Sequence, residues 1–143
     1  MKHTIGVIAL ALVALCASAT AQTASNNDFW VGIWHADAFG MPTGTMTLAA
    51  DTGTLGGTLV LDIIQDKDGG PHVVEQEAHV LVHPQVDGRR LSFDVRMQKR
   101  DGSVKVASFV VQLNSDGKAS LHCANCGSDA PVVDMARDPD SAR

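Results

Sequence analysis

From residue 29 onward the apolar residues recur at every second position, and the runs they form are cut at near-regular intervals by Asp and Gly. A period of two sends alternate side chains to opposite faces of an extended strand, so a chain written this way folds as a sheet with one oily face. The cuts are Asp51-Thr52-Gly53, Asp68-Gly69-Gly70, Asp87-Gly88, Asp101-Gly102 and Asp116-Gly117. They supply residues that tolerate the positive φ of tight hairpin connections. The spacing predicts eight strands in up-and-down order, over 29–38, 43–50, 54–65, 72–83, 89–100, 103–114, 118–123 and 132–137. Pro42, Pro71, Pro84, Pro131 and Pro139 fall outside these runs, where a missing amide donor breaks no ladder.

One face of the runs is consistently apolar: Met46 and Leu48, Leu59, Leu61 and Ile63, Val80 and Val82, Leu91, Phe93, Val95 and Met97, then Phe109, Val111 and Leu113. Eight short antiparallel strands with one such face close most economically into a barrel, which removes exposed edges; a two-sheet sandwich satisfies the same alternation. The expected fold is therefore all-β, an eight-stranded antiparallel up-and-down β-barrel.

The first 21 residues have a different character. Lys2 and His3 precede an apolar run from Ile5 to Cys16 of about a dozen residues, and Ala19-Thr20-Ala21 follows. This is the pattern of a secretory signal peptide, too short for a permanent membrane anchor. Cys16 lacks the small preceding residue that lipid attachment needs, because position 15 is Leu. The expected organisation is a signal peptide at 1–21, a flexible segment at 22–28, a barrel at 29–137 and a disordered tail at 138–143. The expected location is periplasmic or secreted. Without residues 1–21 the net charge of −5 becomes −6, since Lys2 leaves, and the remaining basic residues are scattered. With no cluster to neutralise phosphates, nucleic acid is not an expected partner, and no membrane association is expected after signal cleavage.

Gly32-Ile33-Trp34 resembles the Gly-x-Trp signature of lipocalins and related small barrels. Gly44-Thr45-Met46-Thr47-Leu48, the glycine-rich 53–59 segment, 86–93 and the closing Met135-Ala136-Arg137 are similar to small exported bacterial β-barrel proteins of unassigned function. The chain departs from typical lipocalins in lacking their long C-terminal helix. The resemblance implies a lipocalin-like barrel in which Trp34 closes one end and Arg137 packs across its ring as a structural plug. It also implies a small apolar molecule as ligand, and the lining expected for it is Met46, Leu48, Val80, Val82, Phe93, Val95 and Phe109.

Cys123-Ala124-Asn125-Cys126 is the sharpest chemical motif. Two cysteines this close in an exported protein normally oxidise to each other, and a disulfide is the expected state. A thioredoxin-like role would need the first cysteine at a helix start, whereas 127–131 reads as loop. Haem attachment needs His at 127, which is Gly. A metal half-site of Cys123, Cys126 and His122 stays open, but it lacks further ligands in the sequence. On the fourth run Glu75, Glu77, His79 and His83 alternate with Val74, Ala78, Val80 and Val82, which reads as a solvated outer stripe. His79 and His83 stand about 13 Å apart along a strand and cannot share an ion, while Glu77 and His79 are close enough to do so. No metal site, cofactor or catalytic residue is assigned, because no nucleophile elbow, zinc-helix motif or phosphate loop is present.

Two other classes compete with the ligand-binding barrel. One is a module that binds an exported protein, such as an inhibitor of a hydrolase, through loops 38–43, with Phe39 and Met41 exposed, and 67–71. The other is a barrel enzyme or isomerase, which would need an ionisable residue in the lumen.

Overall fold

The computed structural model describes residues 24–67 and 69–141; the expected signal peptide lies outside the described residues. The order is helix α1 (Ala24–Trp30), strands β1 (Gly32–Ala38), β2 (Met41–Asp51), β3 (Thr54–Lys67), β4 (Gly70–Val80), β5 (Val82–Asp87), β6 (Arg90–Gln98), β7 (Val104–Leu113), β8 (Ala119–Cys123) and β9 (Val133–Arg137), then a 3₁₀ turn at Pro139–Ser141. The hairpins turn at 52–53, 88–89, 99–103 and 114–118, at or beside the Gly-bearing cuts in the sequence, and also at 39–40, which was not among those cuts.

All nine strands form one antiparallel sheet, in the order β4-β3-β2-β1-β9-β8-β7-β6-β5. The expected eight-stranded closed barrel is corrected on two points. First, the run 72–83 is two strands: Val80 still pairs with Thr58 of β3, Leu81 leaves the ladder, and Val82 pairs with Asp94 of β6. The chain changes partners there, and His83 takes a positive φ of 49° as the register slips between Val82 and Gln85. Second, β4 and β5 are the two sheet edges and do not pair with each other. Because a single residue, Leu81, joins them, the sheet must curl until its edges meet at that point. No strand pairing joins the two edges, so the barrel is not closed.

Curling on this scale needs strands that bend sharply, and two glycines in the β2–β3 ladder permit it. A Cβ on Gly44 would run into the carbonyl oxygen of Val60, and one on Gly57 into that of Thr47. Glycine inside a strand commonly marks such a close approach of two backbones. Pro42, Pro71 and Pro84 lie within strands, contrary to expectation, but each sits where no donor is required. Pro71 and Pro84 are on the edge strands, and Pro42 opposes Asp37 just past an irregularity in the β1–β2 register.

The concave face carries the core: Trp34, Met46, Leu48, Leu59, Leu91, Phe93, Val95, Phe109, Val111, Leu121 and Met135 are all buried there. Residues 24–30, expected as a flexible segment running into a strand, form α1 instead. It lays Trp30 against Trp34 at 5.6 Å between ring centroids. Trp34 Nε1 donates to the Trp30 carbonyl at 3.0 Å, which satisfies the one polar atom of a fully buried ring. Each of these indoles removes roughly 200 Å² from water, worth about 5 kcal/mol before entropy is counted. Asn27 Nδ2 donates to Gly53 O and ties α1 over this end of the sheet. No helix among the described residues is long and apolar enough to cross a membrane.

Candidate functional site

Antiparallel register fixes what sits at each end of the curled sheet. The α1 end holds the 52–53, 88–89 and 114–118 turns and the C-terminal tail. The far end holds the Phe39–Gly40 turn, the β3–β4 hairpin tip, the 99–103 turn and the cysteine loop.

At the α1 end Trp34 and Arg137 are direct cross-strand neighbours, but the guanidinium does not lie across the Trp34 ring as the resemblance implied. It sits 5.7 Å from the centre of the Phe29 ring, and its Nη2 donates to the Val31 carbonyl. Phe29 in turn lies against Trp30 and Trp34. Arg137, Phe29, Trp30 and Trp34 thus form one cluster at this end. The tail expected to be disordered folds onto it as far as Ser141, whose Oγ accepts from Ile33 N–H at 2.8 Å and donates to Asp138 O; residues 142–143 lie outside the described residues. Gly32, at a φ of 134°, makes room, since a Cβ there would meet Ser141 Oγ at 2.9 Å.

The residues expected to line an apolar ligand are mostly packed in the core, though Phe93 and Phe109 also line an open hollow with His83, Gln85 and Arg90. Met46 and Val95 have no accessible surface, and Leu48 and Phe93 are almost as deeply buried. Phe93 and Phe109 stack on each other at 5.7 Å. Around Met46, Leu48 and Val95 the concave face is occupied by its own side chains. Val80 is corrected outright: it is 69% exposed and points away from the core. Val82 is half-buried on β5. The half-buried apolar residues Leu61, Met97, Cys123 and Val133 pack against the core toward the far end.

The face of β4 is reversed relative to the sequence reading. Residues directly opposite in an antiparallel pair share a face, and Leu59 and Leu61, which turn to the core, oppose His79 and Glu77. His79 and Glu77 therefore lie on the concave side, at the unclosed seam between β4 and β6. The His79 side chain is only 10% exposed. Its Nδ1 is 3.2 Å from the Arg96 carbonyl, an acceptor, so Nδ1 carries a proton. Its Nε2 lies 3.3 Å from Glu77 Oε2, in a geometry that makes no hydrogen bond. A shallow hollow lined by Glu77, Ala78, His79, Arg96 and Gln98 opens over the pair. Sequence alternation could pair Glu77 with His79, but nothing in it identified the Arg96 carbonyl, a tertiary neighbour. Among the described residues no polar or charged side chain is fully buried, and no three His, Cys, Asp or Glu are grouped as metal ligands.

Cys123 and Cys126 are disulfide-bonded. Their loop continues the β7 ladder past the end of β8. Ala124 N–H donates to Ser108 O, Ser108 N–H donates to Asn125 Oδ1, and Asn125 Nδ2 donates to Val106 O. The Asn125 amide acts there as a surrogate strand residue, and the disulfide holds it in register.

The two loops expected of a protein-binding module stand at the far end. Phe39 is 88% exposed at the β1–β2 turn with a φ of 57°, and Met41 beside it is half-buried. Next to it the β3–β4 hairpin projects. The pairing of β3 with β2 stops at Leu61 opposite Gly44, and beyond that β3 pairs with β4 alone as far as Lys67. Six residues at about 3.3 Å each make an arm of roughly 20 Å. Val73 and Val74 are exposed on it. Asp68, at its tip, lies outside the described residues.

No protein-family model, curated protein or solved structure matches this chain.

Proposed function

We propose that this protein is a binding module that engages another protein through Phe39 and the neighbouring β3–β4 arm. The observation that carries the reading is Phe39 itself. A large aromatic ring held 88% in solvent on left-handed backbone is unfavourable twice over, in hydration and in conformation. An exposed aromatic ring at the same end as a projecting two-stranded arm suits burial against a partner. The filled concave face supports the same choice, because Met46, Leu48 and Val95 leave no space for a guest molecule beside them.

The compartment belongs to the proposal: export to the periplasm or medium, with an exported protein such as a hydrolase as partner. The oxidised Cys123–Cys126 pair supports it. The lipocalin-like kinship is supported by Trp34 lying opposite Arg137, and by Gly32 at a position that only glycine fills without strain. A second reading, an apolar ligand bound at the far end, draws on half-buried Leu61, Met97 and Val133.

Photocrosslinking from a reactive phenylalanine analogue at position 39, in cells that export the protein, tests the main reading. A single protein adduct is expected. A Phe39→Ser, Met41→Ser variant carrying an exposed crosslinker elsewhere on the arm should lose that adduct while its melting temperature holds. Capture that is unchanged in the variant would overturn the tip as the binding site.

A further inference from the structure

At the seam, His79 Nε2 is a buried nitrogen that makes no hydrogen bond. His79 Nδ1 spends its proton on the Arg96 carbonyl, so in the neutral ring Nε2 is a bare lone pair. That lone pair faces a carboxylate oxygen of Glu77 at 3.3 Å. Two acceptors facing each other repel unless a cation stands between them. The cation could be a proton, but charge-assisted N–H···O bonds run at about 2.7–2.9 Å, and this pair is longer and misaligned for a hydrogen bond.

We propose that Glu77 and His79 hold a divalent transition-metal ion, of the borderline kind that zinc and copper(II) represent, with Nε2 and Glu77 Oε2 as ligands. Zinc bonds of about 2.0 Å to nitrogen and oxygen, set at the tetrahedral angle, place two donor atoms about 3.3 Å apart. The observed separation matches that edge. The donor set of one imidazole and one carboxylate fits the same ions. The outer contact fits as well, since a metal-bound imidazole characteristically gives its other N–H to a carbonyl or carboxylate that fixes the ring, and Arg96 O has that place. Nε2 itself is buried without a hydrogen-bond partner, in a ring nine-tenths buried, under a hollow open to solvent. Glu77 and His79 are two residues apart on one strand and face the same way, so they chelate without any movement of the fold. Two protein ligands hold an ion loosely and leave its remaining positions to water or to a donor from a bound molecule. Arg96 lines the same hollow.

The test is zinc added to metal-free, disulfide-intact protein, followed by calorimetry and by long-range proton–nitrogen NMR of the histidine rings. One ion should bind, His79 Nε2 should be the first ring nitrogen to shift, and Nδ1 should stay protonated. Glu77→Gln and His79→Gln should each weaken binding at least tenfold, while His72→Gln, an exposed position on the same hairpin, should not. The spectrum of wild-type protein keeps the test decisive if a variant fails to fold. The proposal is overturned if His79 is unmoved at zinc concentrations that shift the exposed histidines. It is equally overturned if Nε2 is protonated and takes up no metal, or if the Glu77 and His79 variants bind as the wild type does.

Discussion

Gly56 and Gly57 are neighbours on β3, yet alanine should have opposite effects at the two positions. A Cβ on Gly56 meets nothing within 4 Å, so Gly56→Ala changes mainly the unfolded chain, whose freedom it reduces. That stabilises by about 0.5 kcal/mol. A Cβ on Gly57 falls far inside the 3.0 Å limit from the carbonyl oxygen of Thr47 and presses on Leu48 at 3.0–3.2 Å. The obstruction is backbone and cannot rotate away. The β2–β3 ladder must open at Leu48 and Gly57, and Gly57 O, which accepts from Leu81 N–H at 3.0 Å where the sheet edges meet, moves with it. Overpacking costs about 1–3 kcal/mol in well-packed cores, and a backbone clash belongs at the upper end. After the same gain of about 0.5 kcal/mol, Gly57→Ala should destabilise by about 2.5 kcal/mol, leaving the two variants about 3 kcal/mol apart. For a domain of this size that is a gap of roughly 10 °C in Tm. Urea and thermal unfolding, followed by the fluorescence of buried Trp30 and Trp34, measure it directly. If the two variants melt within 2 °C of each other, the close β2–β3 approach that curls the sheet is not real.

Three further expectations follow from single contacts. Asp37 and Asp134 are directly opposite on β1 and β9 and both exposed, so Asp134→Lys should stabilise by about 0.2–1 kcal/mol, a gain that shrinks with added salt in denaturation curves. Reducing the Cys123–Cys126 bond should cost about 2 kcal/mol in the chain-entropy account and speed hydrogen exchange at Ser108 and Ala124; exchange that stays slow would mean Asn125 holds its place unaided. The Asp101 carboxyl is held below its ordinary range, first by the Ser103 hydroxyl and then by the Ser103 amide. A depressed carboxyl favours the folded turn above the ordinary aspartate range and loses that effect as pH falls through the folded value. In an NMR titration Asp101 should therefore protonate later on acidification than an ordinary aspartate, and Ser103→Ala should move it back up.

The turns were legible in the sequence because their chemistry is local: Thr52-Gly53, Gly88, Gly102 and Gly117 sit where the hairpins close. The break at Leu81 was not, because the apolar residues run on unbroken through Val80, Leu81 and Val82 while the strand changes partner, and the strain falls on His83. The face of β4 was misread for a related reason. An edge strand that projects beyond the core buries neither side well, so Val74 and Val80 could stay in solvent while His79 turned inward. Seven residues of α1 are too few for a 3.6-residue period to register, and its role depends on Trp30 meeting Trp34. Phe39 was readable as an exposed turn residue. What the sequence did not disclose was that the β3–β4 arm stands beside it and that the expected ligand face is filled.

That last point, a concave face occupied by its own side chains with binding left to the Phe39 tip, is tested most directly by native mass spectrometry of protein purified without denaturation. The expected mass is that of the oxidised polypeptide with no organic molecule attached, a bound metal ion being compatible with the seam site. An organic adduct that leaves on unfolding would contradict it and return the function to the interior of the sheet.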